Sequence, residues 1–116
     1  MKLKSIFKKK TEDDSAAITG DKELKMFFLP GCPYCRMADD VISGLISENP
    51  EFKNVSIKKV NEISNSALAA RYDYWRTPSF FLGADKLYEA SPGDNEQYMK
   101  EKLRDVFSRV LAVNVQ

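Results

Sequence analysis

Cys32 and Cys35 are the chain's two cysteines, and Pro33 and Tyr34 separate them. Thiols at that spacing can form half a metal site, a structural staple, or a disulfide that opens and closes. Structural zinc needs four ligands, usually two such pairs. With no histidine and no third cysteine, a zinc site here would need a second copy of the chain or carboxylate ligands. An iron–sulfur cluster shared by two chains is a similar case. Two inert core cysteines fit poorly with the prolines at positions 30 and 33. The residues favour reversible chemistry, in which a thiolate attacks a disulfide sulfur and a neighbouring thiol resolves the mixed disulfide.

The elements that must hold these thiols are legible. Leu24 to Leu29 is an apolar, aromatic run of strand length. After the cysteines, Met37, Val41, Ile42, Leu45 and Ile46 recur at helical spacing, with Arg36, Asp39, Asp40 and Ser43 opposite. Asn49-Pro50 should end that helix, because a residue before proline avoids helical backbone angles. Val55 to Val60 reads as a second strand. A shorter helix capped by Asn65 or Ser66 should run through Leu68, Ala69, Ala70 and Tyr72. Ser79 to Leu82 and Lys86 to Ala90 flank Gly83-Ala84-Asp85 as an antiparallel hairpin. A final helix starts near Asn95, with Met99, Leu103, Val106, Phe107, Val110 and Leu111 as its apolar stripe.

The order is therefore β-α-β-α-β-β-α. A helical crossover makes the first two strands parallel. Helices should cover both faces of a four-stranded mixed sheet, giving a three-layer α/β/α architecture. Cys32 then falls where the first strand meets the first helix, and Pro33 takes the first helical position, which tolerates proline. Unsatisfied N–H groups and the positive end of the helix dipole favour thiolate there. Arg36 adds a nearby positive charge. Cys35, almost one turn on, lies beside and beneath Cys32. Cys32 is the expected attacker and Cys35 the resolving thiol, so both are the catalytic candidates.

Composition bounds the rest. With 116 residues, 43% hydrophobic and 30% charged, the chain reads as one soluble globular domain able to bury its own core. A net charge of +1 gives no general argument for nucleic acid as a partner. The N-terminus carries Lys2, Lys4, Lys8, Lys9 and Lys10, followed by Glu12, Asp13 and Asp14. No apolar stretch of signal or membrane-span length follows. Leu3, Ile6 and Phe7 fall at helical spacing, but they offer too little apolar area for a membrane anchor. The expectation is a basic-then-acidic extension over 1–20, a domain over 21–116, and a cytoplasmic protein. In that compartment a working disulfide is favoured over a permanent one.

The residues also resemble a known superfamily. CPYC at the start of the first helix looks like the active site of glutaredoxins. Lys59 to Leu82, KVNEISNSALAARYDYWRTPSFFL, is similar to the second half of thioredoxins, with Thr77-Pro78 ahead of an apolar strand. The resemblance spans roughly Glu23 to Leu111. It implies a thioredoxin fold and a dithiol–disulfide oxidoreductase with Cys32 and Cys35 catalytic and Pro33 and Tyr34 completing the motif. It further implies a cis Pro78 packed on the active-site disulfide, and a Thr77 backbone that pairs with an extended substrate. Trp75 and Arg76 would border the substrate groove; for Trp75 a partly buried packing role is the other reading.

No metal and no cofactor beyond the redox disulfide is implied. Disulfide-containing proteins and an upstream reductant are the expected partners of a monomer that uses neither nucleic acid nor membrane. Two alternatives accompany this reading: a glutaredoxin using glutathione, and a non-catalytic binding or redox-regulated adaptor module. The chain departs from both families around the motif. Met26 replaces the buried aspartate of thioredoxins, and Gly31 replaces their tryptophan. Leu29 and Pro30 occupy the region where glutaredoxins often carry lysine. Pro92-Gly93-Asp94-Asn95 only faintly echoes a glutaredoxin site and is explained equally by a turn and helix cap.

Overall fold

A computed structural model describes residues 23–114. The expected extension over 1–20 lies outside the described residues. Strand β1, Leu24–Phe28, sits inside the sheet, between β2 and β3. It is buried on both faces, which is why its sequence is a continuous apolar run rather than an alternation. Its side chains still divide by parity. Leu24 and Met26 enter one core cluster and Phe27 the other.

Helix α1, Pro33–Glu48, turns Cys35, Ala38, Val41 and Leu45 inward. It ends where Asn49 turns extended ahead of Pro50, at φ −135° and ψ 91°. A 3-10 turn, Pro50–Asn54, follows and buries Phe52, whose ring meets Phe107 edge to face at 5.5 Å. This turn corrects the expected start of the second strand. Val55 is buried, but its N–H bonds back to Phe52 and is taken by the turn. Strand β2 therefore runs Ile57–Asn61, parallel to β1, pairing Leu24 with Ile57 and Phe28 with Asn61.

Helix α2 covers only Ser66–Ala69 and does not reach Tyr72. Asn65 holds the N-cap position as expected, its carbonyl accepting the Ala69 N–H, but its side-chain amide donates to the Asn61 carbonyl and to Ser64 Oγ rather than making a capping bond. Tyr72 leaves the helix to pack its ring on Phe27 and Phe81. Strands β3, Ser79–Leu82, and β4, Asp85–Glu89, form the hairpin, and the sheet order is β2-β1-β3-β4. β4 begins one residue earlier than expected, because Asp85 pairs with Leu82 across Gly83-Ala84. Gly83 has φ 61°, a left-handed angle that glycine adopts at little cost. Helix α3, Glu96–Asn114, is capped by Asn95, whose Oδ1 accepts the Tyr98 N–H at 2.8 Å.

The three layers follow from these faces. On one side, Leu24, Met26, Phe80 and Tyr88 meet Ala38, Val41 and Leu45 of α1 and Met99, Leu103, Val106, Phe107 and Val110 of α3. On the other, Phe27, Val60 and Phe81 meet Leu68 and Ala69 of α2, with Tyr72 and Tyr74 filling the gap that this short helix leaves. Glu48 links α1 to Lys100 and Arg104 of α3, but these pairs are exposed and screened by solvent. Apolar burial therefore holds the layers together. Phe27→Ala should lower unfolding free energy by about 3–5 kcal/mol in urea titrations, because it empties the centre of the aromatic layer. Ile63→Ala, at a position 67% exposed, should change it by less than about 0.5 kcal/mol.

Candidate functional site

The site is built where β1 becomes α1. After Phe28 the chain makes a tight turn in which the Cys32 N–H returns to the Leu29 carbonyl at 3.2 Å. Gly31 takes φ 79° in this turn, an angle that a residue with a Cβ adopts at a cost. The glycine that stands in place of a thioredoxin tryptophan thus has a backbone reason. Cys32 itself is the N-cap, extended at φ −74° and ψ 121°. Its carbonyl accepts the Arg36 N–H at 3.0 Å, and its Sγ accepts the Cys35 N–H at 3.2 Å. The sulfur does what a serine or aspartate oxygen does at other helix starts. Pro33, at the first helical position, has no N–H to satisfy.

Across from this helix start stands Thr77. Its Oγ1 lies 3.6 Å from Cys32 Sγ as a donor, and its carbonyl oxygen lies 3.7 Å from the same sulfur as an acceptor. The Thr77–Pro78 peptide is cis, and Pro78 is fully buried. Both cysteines are free thiols. Cys35 is 5% exposed, whereas Cys32 is half-buried.

These environments drive the two thiols apart. For Cys32, burial opposes ionisation, but hydrogen bonds from Cys35, Thr77 and the backbone N–H groups of Cys35 and Tyr34 outweigh it. Its pKa lies below the ordinary thiol value. For Cys35, burial dominates, and donation of its S–H toward Cys32 adds to it, so its pKa is pushed up to about 11. Met26 lies in the core, 1% exposed, and brings no carboxylate toward Cys35.

The remaining candidates lie around the start of α1 and the segment before Thr77. The Tyr34 hydroxyl accepts the Gly93 N–H at 3.0 Å, strapping the first turn of α1 to the loop before α3. In that loop Asp94 accepts the Ser91 N–H and the Tyr88 hydroxyl, so Pro92 to Asn95 does serve as turn and cap. Arg36 is exposed. A groove of about 270 Å³ is lined by Leu29, Tyr34, Trp75, Arg76, Thr77 and Pro92, among others. Trp75 is 87% exposed, which removes the reading of it as a packing residue. Cys32, Cys35 and Thr77 thus converge, with Trp75 and Arg76 on the groove beside them.

Sequence reasoning missed the residues that hold this groove in shape. Glu89 accepts the N–H groups of Trp75 and Arg76 at 2.7 and 2.6 Å. Lys86 donates to the Asp73 carbonyl and to Glu89. Buried Ser79 donates to the Arg76 carbonyl at 2.5 Å. As sequence they are polar residues of a hairpin, and only the pairing register reveals their use. Among the described residues there is no cluster of His, Cys, Asp or Glu able to hold a metal ion. No described helix is long and apolar enough to cross a membrane.

The pKa separation has a direct readout. Iodoacetamide alkylation followed by peptide mass spectrometry should modify Cys32 with a midpoint below the ordinary thiol value, and Cys35 only on approach to pH 11. With the Cys35 pKa at about 11, roughly one molecule in ten thousand carries that thiolate at pH 7. Equal alkylation of the two thiols at pH 7 in the folded protein would contradict the geometry.

No family model and no curated protein sequence matches the chain. Its shape does match solved structures. One is described as a malarial protein, 17% identical, with a TM-score of 0.49 over 71% of this chain and 92% of that one. The zinc-bound form of human ERp44 matches at 16% identity and a TM-score of 0.50 over 77% of this chain. The first two thioredoxin domains of Saccharomyces cerevisiae Eps1p match at 19% identity and a TM-score of 0.45 over 78% of this chain. The match covers 28% of the human chain and 36% of the yeast chain. Together with the β2-β1-β3-β4 sheet between two helical layers, the likeness to the human protein shows the fold: the chain adopts the thioredoxin fold, with a Cys-x-x-Cys pair at the start of its first helix.

Proposed function

We propose that the protein is a thiol–disulfide oxidoreductase that reduces disulfides in polypeptide substrates. The observation that carries this reading is the unequal placement of the two thiols. The half-buried Cys32 sulfur at the helix start accepts the Cys35 N–H and lies within reach of the Thr77 hydroxyl, which lowers its pKa, while burial raises that of Cys35 beneath it. Both shifts arise from packing and hydrogen bonds that a merely structural cysteine pair does not need.

The steps follow. Cys32 thiolate attacks one sulfur of the substrate disulfide, forming a mixed disulfide and expelling the other sulfur as a thiolate, which takes a proton from solvent. Cys35 then loses its proton and attacks Cys32 Sγ. The second substrate thiol leaves, and Cys32 and Cys35 are joined. Two electrons and two protons have passed to the substrate, and a thiol reductant must reopen the pair. In this proposal the Thr77 backbone pairs with an extended substrate segment, which is strand addition. Trp75 and Arg76 border the groove that Thr77 also lines, and the exposed indole offers apolar contact to a polypeptide there. The proposed setting is the cytoplasm, where reductants keep such pairs open. The proposed acting form is a monomer.

Insulin-disulfide reduction tests the assignment. Cys32→Ser should abolish turnover, and Cys35→Ser should accumulate mixed disulfides visible on non-reducing gels. Retention of a partner by the double serine variant, with no turnover in the wild type, would instead mark an adaptor. Turnover that requires glutathione would mark the glutaredoxin alternative. Equilibration with a thiol redox buffer should give a potential clearly more reducing than the oxidising end of the family range, about −120 mV; a value there would overturn the reductase reading. Trp75→Ala should raise KM for polypeptide disulfides about twofold to thirteenfold, since an anchoring aromatic contact contributes about 0.5–1.5 kcal/mol, and leave Cys32 alkylation unchanged.

A further inference from the structure

Strand β4 contains a register shift with a consequence for the thiol site. Phe80 pairs with Tyr88, but Phe81 pairs with Lys86, so Leu87 is an extra residue in the ladder. In a regular strand, positions three apart point to opposite faces. The bulge cancels one step of that alternation. Lys86 and Glu89 therefore share a face, and Lys86 Nζ lies 2.7 Å from Glu89 Oε1. Ser79, paired with Glu89, and Phe81, paired with Lys86, are on this face of β3.

From that face the pair reaches the segment preceding Thr77. Glu89 Oε2 accepts two successive backbone N–H groups, those of Trp75 and Arg76. Lys86 Nζ donates to the Asp73 carbonyl, and Ser79 Oγ donates to the Arg76 carbonyl. The Glu89 side chain is 14% exposed. Burial works against its ionised form, yet the hydrogen bonds from Lys86, Trp75 and Arg76 hold its pKa below the usual carboxylate value. The segment it grips ends at Thr77, whose hydroxyl and carbonyl are both in reach of Cys32 Sγ.

We propose that Glu89 is a positioning residue for Cys32: by gripping the backbone of Trp75 and Arg76 it fixes Thr77 at the distance where its hydroxyl stabilises the thiolate. This rests on the reading of Cys32 as the reactive sulfur. Glu89 touches neither substrate nor sulfur and acts only through Thr77. The bulge at Leu87 is the feature that allows it, because it turns Glu89 and its lysine partner to the side on which the segment lies.

The sign of one measurement separates this role from simple electrostatics. Removing a negative charge from the neighbourhood of a thiolate lowers the thiol pKa, whereas releasing Thr77 raises it by withdrawing a donor. Glu89→Ala should move the midpoint of the Cys32 alkylation profile upward by about one pH unit, which below the midpoint is a roughly tenfold loss in rate. Glu89→Gln keeps an oxygen that can accept the same N–H groups and should stay within about 0.3 pH units of the wild type. If Glu89→Ala does not fold, as judged by circular dichroism, Glu89→Leu supplies the same test with the packing volume kept. A midpoint that stays or falls in the folded variant overturns the proposal. So does a Gln variant that behaves like Ala. The assay uses no disulfide substrate, so its failure is distinct from failure of the oxidoreductase reading. That reading falls if wild-type Cys32 shows no lowered midpoint, and the positioning role falls with it.

Discussion

The hydrogen bond from the Cys35 N–H to Cys32 Sγ, at 3.2 Å, is the interaction around which the molecule is arranged. It exists because Cys32 occupies the N-cap, where backbone N–H groups point out of the helix with no partner of their own. A cap residue is only as well placed as the helix behind it. Here α1 is fixed by Ala38, Val41 and Leu45 against the sheet and α3. The strand before it is fixed more firmly still, since β1 is paired on both edges and buried on both faces. The turn between them has little freedom: the Cys32 N–H is tied to Leu29, and Gly31 supplies the positive φ. The Cys32 sulfur thus stands at the edge of the most deeply buried strand junction of the fold.

The other half of the site comes from a less regular region. Between α2 and β3 the chain crosses residues 70–78 without forming a helix or strand. Tyr72 and Tyr74 secure that crossing by packing on Phe27 and Phe81, and the Tyr74 hydroxyl donates to Glu62 at 2.6 Å. Burial and this bond to a carboxylate push the Tyr74 pKa upward, so the phenol stays a donor. The aromatic layer therefore substitutes for the missing turns of α2. It covers the second face of the sheet and carries the chain to Thr77.

Much of this was legible in the sequence because it depends on local chemistry. The strand-helix junction at Cys32, the proline at the first helical position and the stop at Asn49-Pro50 are each set by one or two residues. The stripe of α3 follows from spacing alone. What escaped depends on pairing between distant residues. Val55 reads as strand, yet the preceding 3-10 turn claims its N–H. Asn65 does take the cap position, yet its side-chain amide bonds Asn61 and Ser64 instead of the helix. Glu89 could not be read at all, because its face is decided by a bulge that appears only when β4 is laid against β3.

The same interactions that separate the two thiols also connect them in time. Cys35 is held protonated first by burial, and then by its hydrogen bond to Cys32 and the repulsion of a negative sulfur there. The repulsion requires Cys32 to be a thiolate, and the hydrogen bond is strongest then. In the proposed cycle Cys32 loses its charge when it is bonded to another sulfur, so the repulsion disappears and the hydrogen bond weakens. Burial then remains the main cause, opposed by hydrogen bonds from the Leu29 backbone and Thr77. In the proposed cycle Cys35 thus becomes easier to ionise once Cys32 has formed the mixed disulfide. No carboxylate at Met26 is needed for that change, because it comes from the neighbour's own loss of charge. Burial sets most of the resting difference between the thiols, and the contact of Cys35 with Cys32 adds the part that would change during the proposed cycle.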